Sequence, residues 1–373
     1  MKKIAVIGAG ILGASAAYHL SKLGAQVTVI DRKDAGQATD AAAGIVCPWV
    51  SQRRNKAWYQ LVKMGARYYP EMISALKQDG ETRTGYKRVG ALILQQDPEK
   101  IEKMIVRTEK RKQDAPEIGD IIPLTKEETK EMFPLLSDEY LSVLVEGAAR
   151  VDGRALRDAL IRAARKNGAE LIEGEAALIF QRGRVSGASV NGKEIEADEV
   201  IVCAGAWANE LLQPLGIHFQ VTYQKAQIAH FKMETEQTSD WPVLMPPANH
   251  YLLAFDDGRI VAGATHEDDV NGYDTRVTAG GMLDVFSKAL NVAPGLEEGT
   301  FLEARTGFRP FTPGFLPVIG RIPEWSGLIA ANGLGASGLT MGPYLGLELA
   351  RLALGLEPEI DLADYPITGA LEE

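Results

Sequence analysis

Three glycines and one acid near the start of the chain have the types and spacing of a pyrophosphate cradle. Gly8-Ala9-Gly10-Ile11-Leu12-Gly13 follows directly on the apolar run Lys3-Ile4-Ala5-Val6-Ile7, and Asp31-Arg32 comes eighteen residues after Gly13. In such a unit Gly8 permits the strand-to-helix turn, Gly10 lets backbone N–H groups approach a pyrophosphate at the positive helix end, and Gly13 lets helix pack closely on strand. Asp31 ends the second strand, Gln26-Val27-Thr28-Val29-Ile30, where its carboxylate would accept hydrogen bonds from a ribose hydroxyl. The spacing predicts a bound dinucleotide; a simple packing turn is the plainer alternative.

The same stretch superficially resembles a secretory signal, with Lys2-Lys3, an apolar run and Ala14-Ser15-Ala16-Ala17. The three glycines interrupt what would have to be a continuous apolar helix, so the dinucleotide reading is preferred. Elsewhere no apolar run reaches the roughly eighteen residues that span a bilayer, so the chain is expected to be soluble. A net charge of −10 argues against a nucleic-acid partner, whose phosphates would be repelled. Arg53-Arg54 and Lys110-Arg111-Lys112 are read as solvated faces. The two cysteines, Cys47 and Cys203, lie far apart in a chain of 373 residues, without metal-ligand spacing. That usage fits a reducing cytoplasm better than a disulfide framework, and no metal site is expected.

Further elements must position the cradle. Gly36–Ile45 is rich in Gly and Ala, whose small side chains let backbone lie against a flat ligand. Helical periodicity from about Ala57 to Asp79, a strand at Gly90–Leu94 and a capping box at Thr125–Glu128 follow. A helix from Val151-Asp152-Gly153 to Lys166 leads into a strand at 169–172 and a hairpin over 177–190. Glu199–Cys203 reads as another buried strand ending at a second glycine turn, Ala204-Gly205, followed by a helix. From Phe219 to about Thr265 the pattern is strands, including a hairpin of 251–255 with 259–263, and is read as a separate antiparallel sheet. A helix over 278–290, a last parallel strand at 327–331 and a long terminal helix complete the pattern.

Five blocks carry a family resemblance: GAGILG with Asp31-Arg32, AAAGI at 41–45, VIVCAGAW ending at Trp207, GFRPFTPGFLPVIG at 307–320 and GLGASGLTMGP from Gly333. In this order, over nearly the whole chain, they resemble the D-amino-acid oxidase family of flavoproteins, which includes glycine oxidase, sarcosine oxidase and D-amino-acid dehydrogenase. The resemblance implies an α/β fold: a Rossmann-like FAD-binding domain (1–84, 150–219 and 304–373) with a second α+β substrate domain built on an antiparallel sheet (85–149 and 220–303). It implies FAD as cofactor, held noncovalently because no cysteine lies in the 305–320 block to tether it. By similarity, Asp31 and Arg32 take the adenosine ribose and adenine edge, with Gly8, Gly10, Ile11, Leu12 and Gly13 in the turn and Ala38 and Thr39 beside the pyrophosphate. Ala43, Gly44 and Ile45 offer backbone to the flavin ring, Ala177 matches a position whose backbone faces adenine, and Ala204-Gly205 packs along the dinucleotide. Leu334, Gly335, Ala336, Ser337, Gly338, Leu339 and Thr340 place N–H groups near the flavin pyrimidine carbonyl, where they would stabilise negative charge on the reduced ring.

For substrate, the resemblance points to Arg309 as the group that binds a carboxylate, since its planar fork can make two charge-assisted bonds. The alternative is an arginine bracing a proline-rich turn. Tyr251 matches a pocket tyrosine that would share the carboxylate, and His266 a variable pocket position that could steer the amine or tune its protonation. Arg305 is read as an ion-pairing residue behind the pocket, and Cys47 as lining the pocket mouth or inertly buried. Thr312-Pro313-Gly314 departs from the pattern, many relatives having an acid after the proline. The activity implied is oxidation of a small amino acid or amine (glycine, sarcosine, a D-amino acid or an N-substituted amino acid) by hydride transfer to flavin N5, giving an imine that hydrolyses. The acceptor would be oxygen or a quinone or carrier. A flavin dehydrogenase of a 2-hydroxy acid or polyol phosphate is the competing activity, FAD binding without catalysis as one subunit of a complex is a further reading, and a homo-oligomer is left open.

Overall fold

The computed structural model describes residues 1–235 and 237–372. The opening strand Lys3–Ile7 pairs in parallel with Gln26–Asp31 on one side and Glu199–Val202 on the other. Glu170–Glu173 and Leu328–Asn332 extend this sheet in parallel, and Val318–Arg321 closes one edge antiparallel. Four of the five residues of the first strand, Ile4 to Ile7, are buried, as expected of a parallel strand covered on both faces.

Helix Ile11–Lys22 lies between Gly153–Lys166 and the terminal helix Gly338–Leu354 on one face of this sheet. Small residues set that packing: a Cβ on Gly346 would stand 2.5 Å from the Ser15 Cβ. The other face is covered by the antiparallel strands Ala176–Gln181, Arg184–Val190 and Lys193–Glu196. Helix Lys56–Gln78 starts where the Asn55 side chain accepts the Trp58 N–H, and it buries Trp58, Leu61, Val62, Tyr69, Met72 and Leu76 at helical spacing.

An eight-stranded sheet stands opposite. Its order runs from Thr300–Phe311 through Thr222–Lys232, Arg259–Gly263, Tyr251–Ala254, Val243–Met245, Ala91–Gln95 and Leu141–Val145 to Ile121–Leu124. The expected hairpin of 251–255 with 259–263 is present. The sheet is not purely antiparallel, however, because Val243–Met245 runs parallel to Ala91–Gln95. Alternation divides its faces: Ala226 and Ile228 join the core shared with the first sheet, while Ala229 and Phe231 pack with helix Ala279–Val292 on the outer side. Helix Pro98–Lys112 puts the basic run at 110–112 in its last turn, where cations favour the helix dipole. The block around Arg309 forms the twelve-residue strand Thr300–Phe311, so Arg309 stands on a strand and not in a turn.

No helix of the described residues is long and apolar enough to cross a membrane, and among them no group of His, Cys, Asp or Glu is arranged to hold a metal ion.

Candidate active site

The carboxyl ends of the parallel strands face the eight-stranded sheet across an elongated cavity of about 510 Å³. One end is built on the first glycine turn. Gly8 has φ +100°, and a Cβ there would lie 2.4 Å from the Cys203 carbonyl oxygen. Gly13 does not line the cavity; a Cβ on it would stand 1.9 Å from the Gly8 oxygen, so its bareness lets the helix close on the turn. Asp31 is buried, its Oδ2 accepting the Ala9 N–H at 2.6 Å and its Oδ1 accepting from the Lys33 N–H and the Gln37 amide. Thr39 Oγ1 accepts the Ile11 N–H at 3.0 Å. Gly10 gives helix Ile11–Lys22 no side-chain cap, and the first turn has no acid. That leaves the positive helix end for an anion.

Arg32 crosses the rim to Asp34, Glu175 and Glu210. Ala177 is exposed and off the cavity wall; Gly174, Glu175 and Ala176 line it instead.

The middle of the cavity is walled by Ala38, Thr39, Ala43, Gly44 and Ile45 and by Ala204, Gly205, Leu334, Gly335, Ala336, Gly338, Leu339 and Thr340. Gly44 has φ +91°, and a Cβ would fall 1.7 Å from the Val151 carbonyl oxygen. Thr340 donates its hydroxyl to the Ile45 carbonyl at 3.0 Å, tying the loop to the terminal helix. Ser337 does not reach the lining. Asn332, unmarked by any motif, donates to the Gly205 carbonyl and accepts the Gly333 N–H, joining the second glycine turn to the start of the segment at 333–340.

Arg309, Tyr251 and His266 meet at the other end, with Met245, Asn249 and His250, which no sequence signal identified. Arg309 Nη1 donates to the Gln224 side-chain oxygen at 2.9 Å. Burial pushes the Tyr251 phenol up, against the pull of the neighbouring Arg309 guanidinium, so the hydroxyl keeps its proton. Burial, then the Arg309 and Lys288 charges, push His266 down and leave its imidazole neutral at pH 7. His250 is lowered by burial and Lys288, and neither of its ring nitrogens has a partner. The acids that line the cavity, Asp31, Asp34, Glu175 and Glu210, all stand at the glycine-turn end.

Cys47 is buried in the core and away from the cavity, its thiol pushed up to about 12 by burial. Cys203 does line the cavity, beneath the first turn, and is raised to about 12 in the same way. Arg305 pairs with Glu303 outside the lining.

The cavity fits FAD on its own features. It has at one end a helix start whose N-cap residue is a glycine without a side-chain cap, with an acid beside it, and in the middle a wall of backbone and small side chains.

A family model for FAD dependent oxidoreductases matches residues 3–352. The chain is 62% identical, over the full length of both proteins, to the oxidoreductase YurR of Bacillus subtilis (strain 168). It is 28% identical to the glycine oxidase of Pseudomonas putida, covering 99% of each chain. Its structure superposes on iminodiacetate oxidase of Chelativorans sp. BNC1 with a TM-score of 0.94 at 46% identity, covering 97% of this chain and 98% of that one. The chain therefore belongs to the FAD-dependent oxidoreductases of the D-amino-acid oxidase family.

Proposed function

We propose that this chain oxidises a small secondary amine flanked by carboxylate, an N-carboxymethyl amino acid of which iminodiacetate is the simplest. The single observation that carries the reading is the Arg309 guanidinium at an end of the cavity where no described side-chain acid lines the wall. Such an end attracts an acidic substrate and offers nothing to a second cationic group. The 46% identity to iminodiacetate oxidase supports the narrower choice.

Arg309 binds one carboxylate through its guanidinium fork, and the protonated Tyr251 hydroxyl donates to the same group. His266, unprotonated, accepts at its ring nitrogen the proton that the substrate ammonium must lose before its lone pair can drive the reaction. Ala43–Ile45, with Leu334, Gly335, Ala336, Gly338, Leu339 and Thr340, would hold the flavin ring of the cofactor in the middle of the cavity. Bound FAD would supply the two-electron acceptor, taking the hydride as the substrate carbon–hydrogen bond breaks and a C=N bond forms; water would then split the imine into glyoxylate and glycine when iminodiacetate is the substrate.

The test is an anaerobic screen of the holoenzyme for loss of the oxidised flavin spectrum. Iminodiacetate should bleach it fastest, followed by sarcosine and glycine, with glyoxylate recovered and peroxide released when air is admitted. Bleaching by 2-hydroxy acids or polyol phosphates, with every amine inert, overturns the reading.

A further inference from the structure

Arg309 and Gln224 are register partners on adjacent strands, so their side chains rise from the same face of the sheet. Gln224 has both ends of its carboxamide engaged: the oxygen accepts from Arg309 Nη1 at 2.9 Å, and the Nε2 donates to Asp268 Oδ1 at 2.8 Å. We infer that Gln224, its amide orientation set by Asp268, is the positioning residue that aims the Arg309 fork at the substrate carboxylate. This rests on the substrate reading above.

Three features carry it. Asp268 can only accept, so it selects the amide orientation that turns the Gln224 oxygen toward the guanidinium; the flipped amide would set NH₂ against guanidinium and oxygen against carboxylate. Asp268 is itself held in place, because the neighbouring Glu267 exchanges two backbone hydrogen bonds with Lys225, at 3.0 and 2.9 Å, and the Thr265 N–H bonds to the Gln227 carbonyl. The segment that carries Asp268 is therefore laced to the strand that carries Gln224. Finally, the partner of the guanidinium is a neutral amide and not an acid. Among the described residues Arg309 makes no salt bridge, so its charge is left for the ligand while one of its N–H groups is fixed.

The experiment titrates FAD-loaded protein with methoxyacetate, a carboxylate that has no amine to oxidise, read by perturbation of the visible flavin spectrum and by calorimetry. Gln224→Glu places a carboxylate against the guanidinium and should weaken binding by about thirtyfold or more, and Gln224→Leu by about tenfold. Asp268→Leu should weaken it by about fivefold, and Asp268→Asn, which can still present an oxygen to Gln224, should recover most of that loss. In turnover with the best amine of the screen, the Gln224 variants should raise KM more than they lower kcat. Affinities within twofold of wild type in both Gln224 variants and in Asp268→Leu, with flavin retained, overturn the inference. Asp268 lies outside the cavity lining, so its variants decide the matter if the Gln224 variants do not fold. If methoxyacetate behaves as expected while no amine bleaches the flavin, the relay stands and the proposed reaction falls.

Discussion

The Asp31 carboxylate lies 2.6 Å from the Ala9 N–H, which joins the end of the second strand to the middle of the first glycine turn. The acid that the spacing marks as a ribose ligand is thus also a brace of the turn, with Lys33 and Gln37 donating to its other oxygen. Asp31→Ala would remove a charged acceptor from several donors at once. Its FAD dissociation constant should rise by about 10- to 100-fold, the effect of losing one or two charge-assisted hydrogen bonds. Flavin fluorescence released on dilution measures this, and full flavin retention through gel filtration would contradict both roles.

The two glycine turns separate packing from backbone conformation. Gly13 is helical, and a Cβ there would overlap the Gly8 oxygen at 1.9 Å; Gly205 has φ +53° with open space around its missing Cβ. Gly13→Ala must therefore push the helix off the turn, at about 1–3 kcal/mol or more. Gly205→Ala meets no protein atom within 4 Å, so within the protein itself it carries the left-handed backbone cost of about 1–2 kcal/mol. Thermal unfolding of the flavin-loaded proteins should show the larger drop in Tm, and the larger loss of bound FAD, for Gly13→Ala. The reverse order would mean that the turn can relax around an added methyl.

Much of the cofactor wall was legible because it is made of backbone. A glycine at a strand end states its purpose through its lack of a side chain, and Gly8, Gly44 and Gly335 all reach the cavity from positions that motif spacing identifies. The substrate end was less legible. Arg309 and Tyr251 stand out by type, but Gln224 meets Arg309 only through strand register across 85 residues of sequence, and His250 reaches the cavity from just before strand Tyr251–Ala254. Ala177 lies off the cavity wall, which Gly174, Glu175 and Ala176 form in its place. Cys47 was ambiguous because a small apolar thiol suits a core as well as a pocket.

Arg309→Lys tests whether the fork or only the charge matters. Lysine keeps one positive charge but cannot bond to Gln224 and both carboxylate oxygens in the same plane. KM for the carboxylated amine should rise by about 10- to 100-fold while bound FAD is unaffected, and Arg309→Ala should exceed it. Steady-state kinetics with the substrate found in the screen measures this, and a KM in Arg309→Lys equal to that of wild type would remove the bidentate clamp from the account.

Two buried histidines away from the cavity should set the acid limb of stability. His19, whose Nε2 is 2.9 Å from the Tyr68 hydroxyl, is lowered from 6.5 to about 3, chiefly by burial. His230 is lowered to about 4, again chiefly by burial, and neither of its ring nitrogens has a partner. Both are neutral in the folded protein, whereas in the unfolded chain each takes up a proton near pH 6.5. The unfolded state therefore binds more protons between pH 6.5 and about 4, and stability falls on acidification through that window by about 1.4 kcal/mol per pH unit for each group. Above pH 7 neither contributes a slope. His230→Leu removes a group that must be buried neutral and leaves no hydrogen-bond partner stranded, so it should flatten the limb at little cost near neutrality. His19→Gln should flatten it too, but with a loss at pH 7 from the altered contact with Tyr68. Urea unfolding of the holoenzyme at pH 5, 6 and 7 reads the slopes, and a His230→Leu protein as acid-sensitive as wild type would show that this imidazole is protonated in the fold.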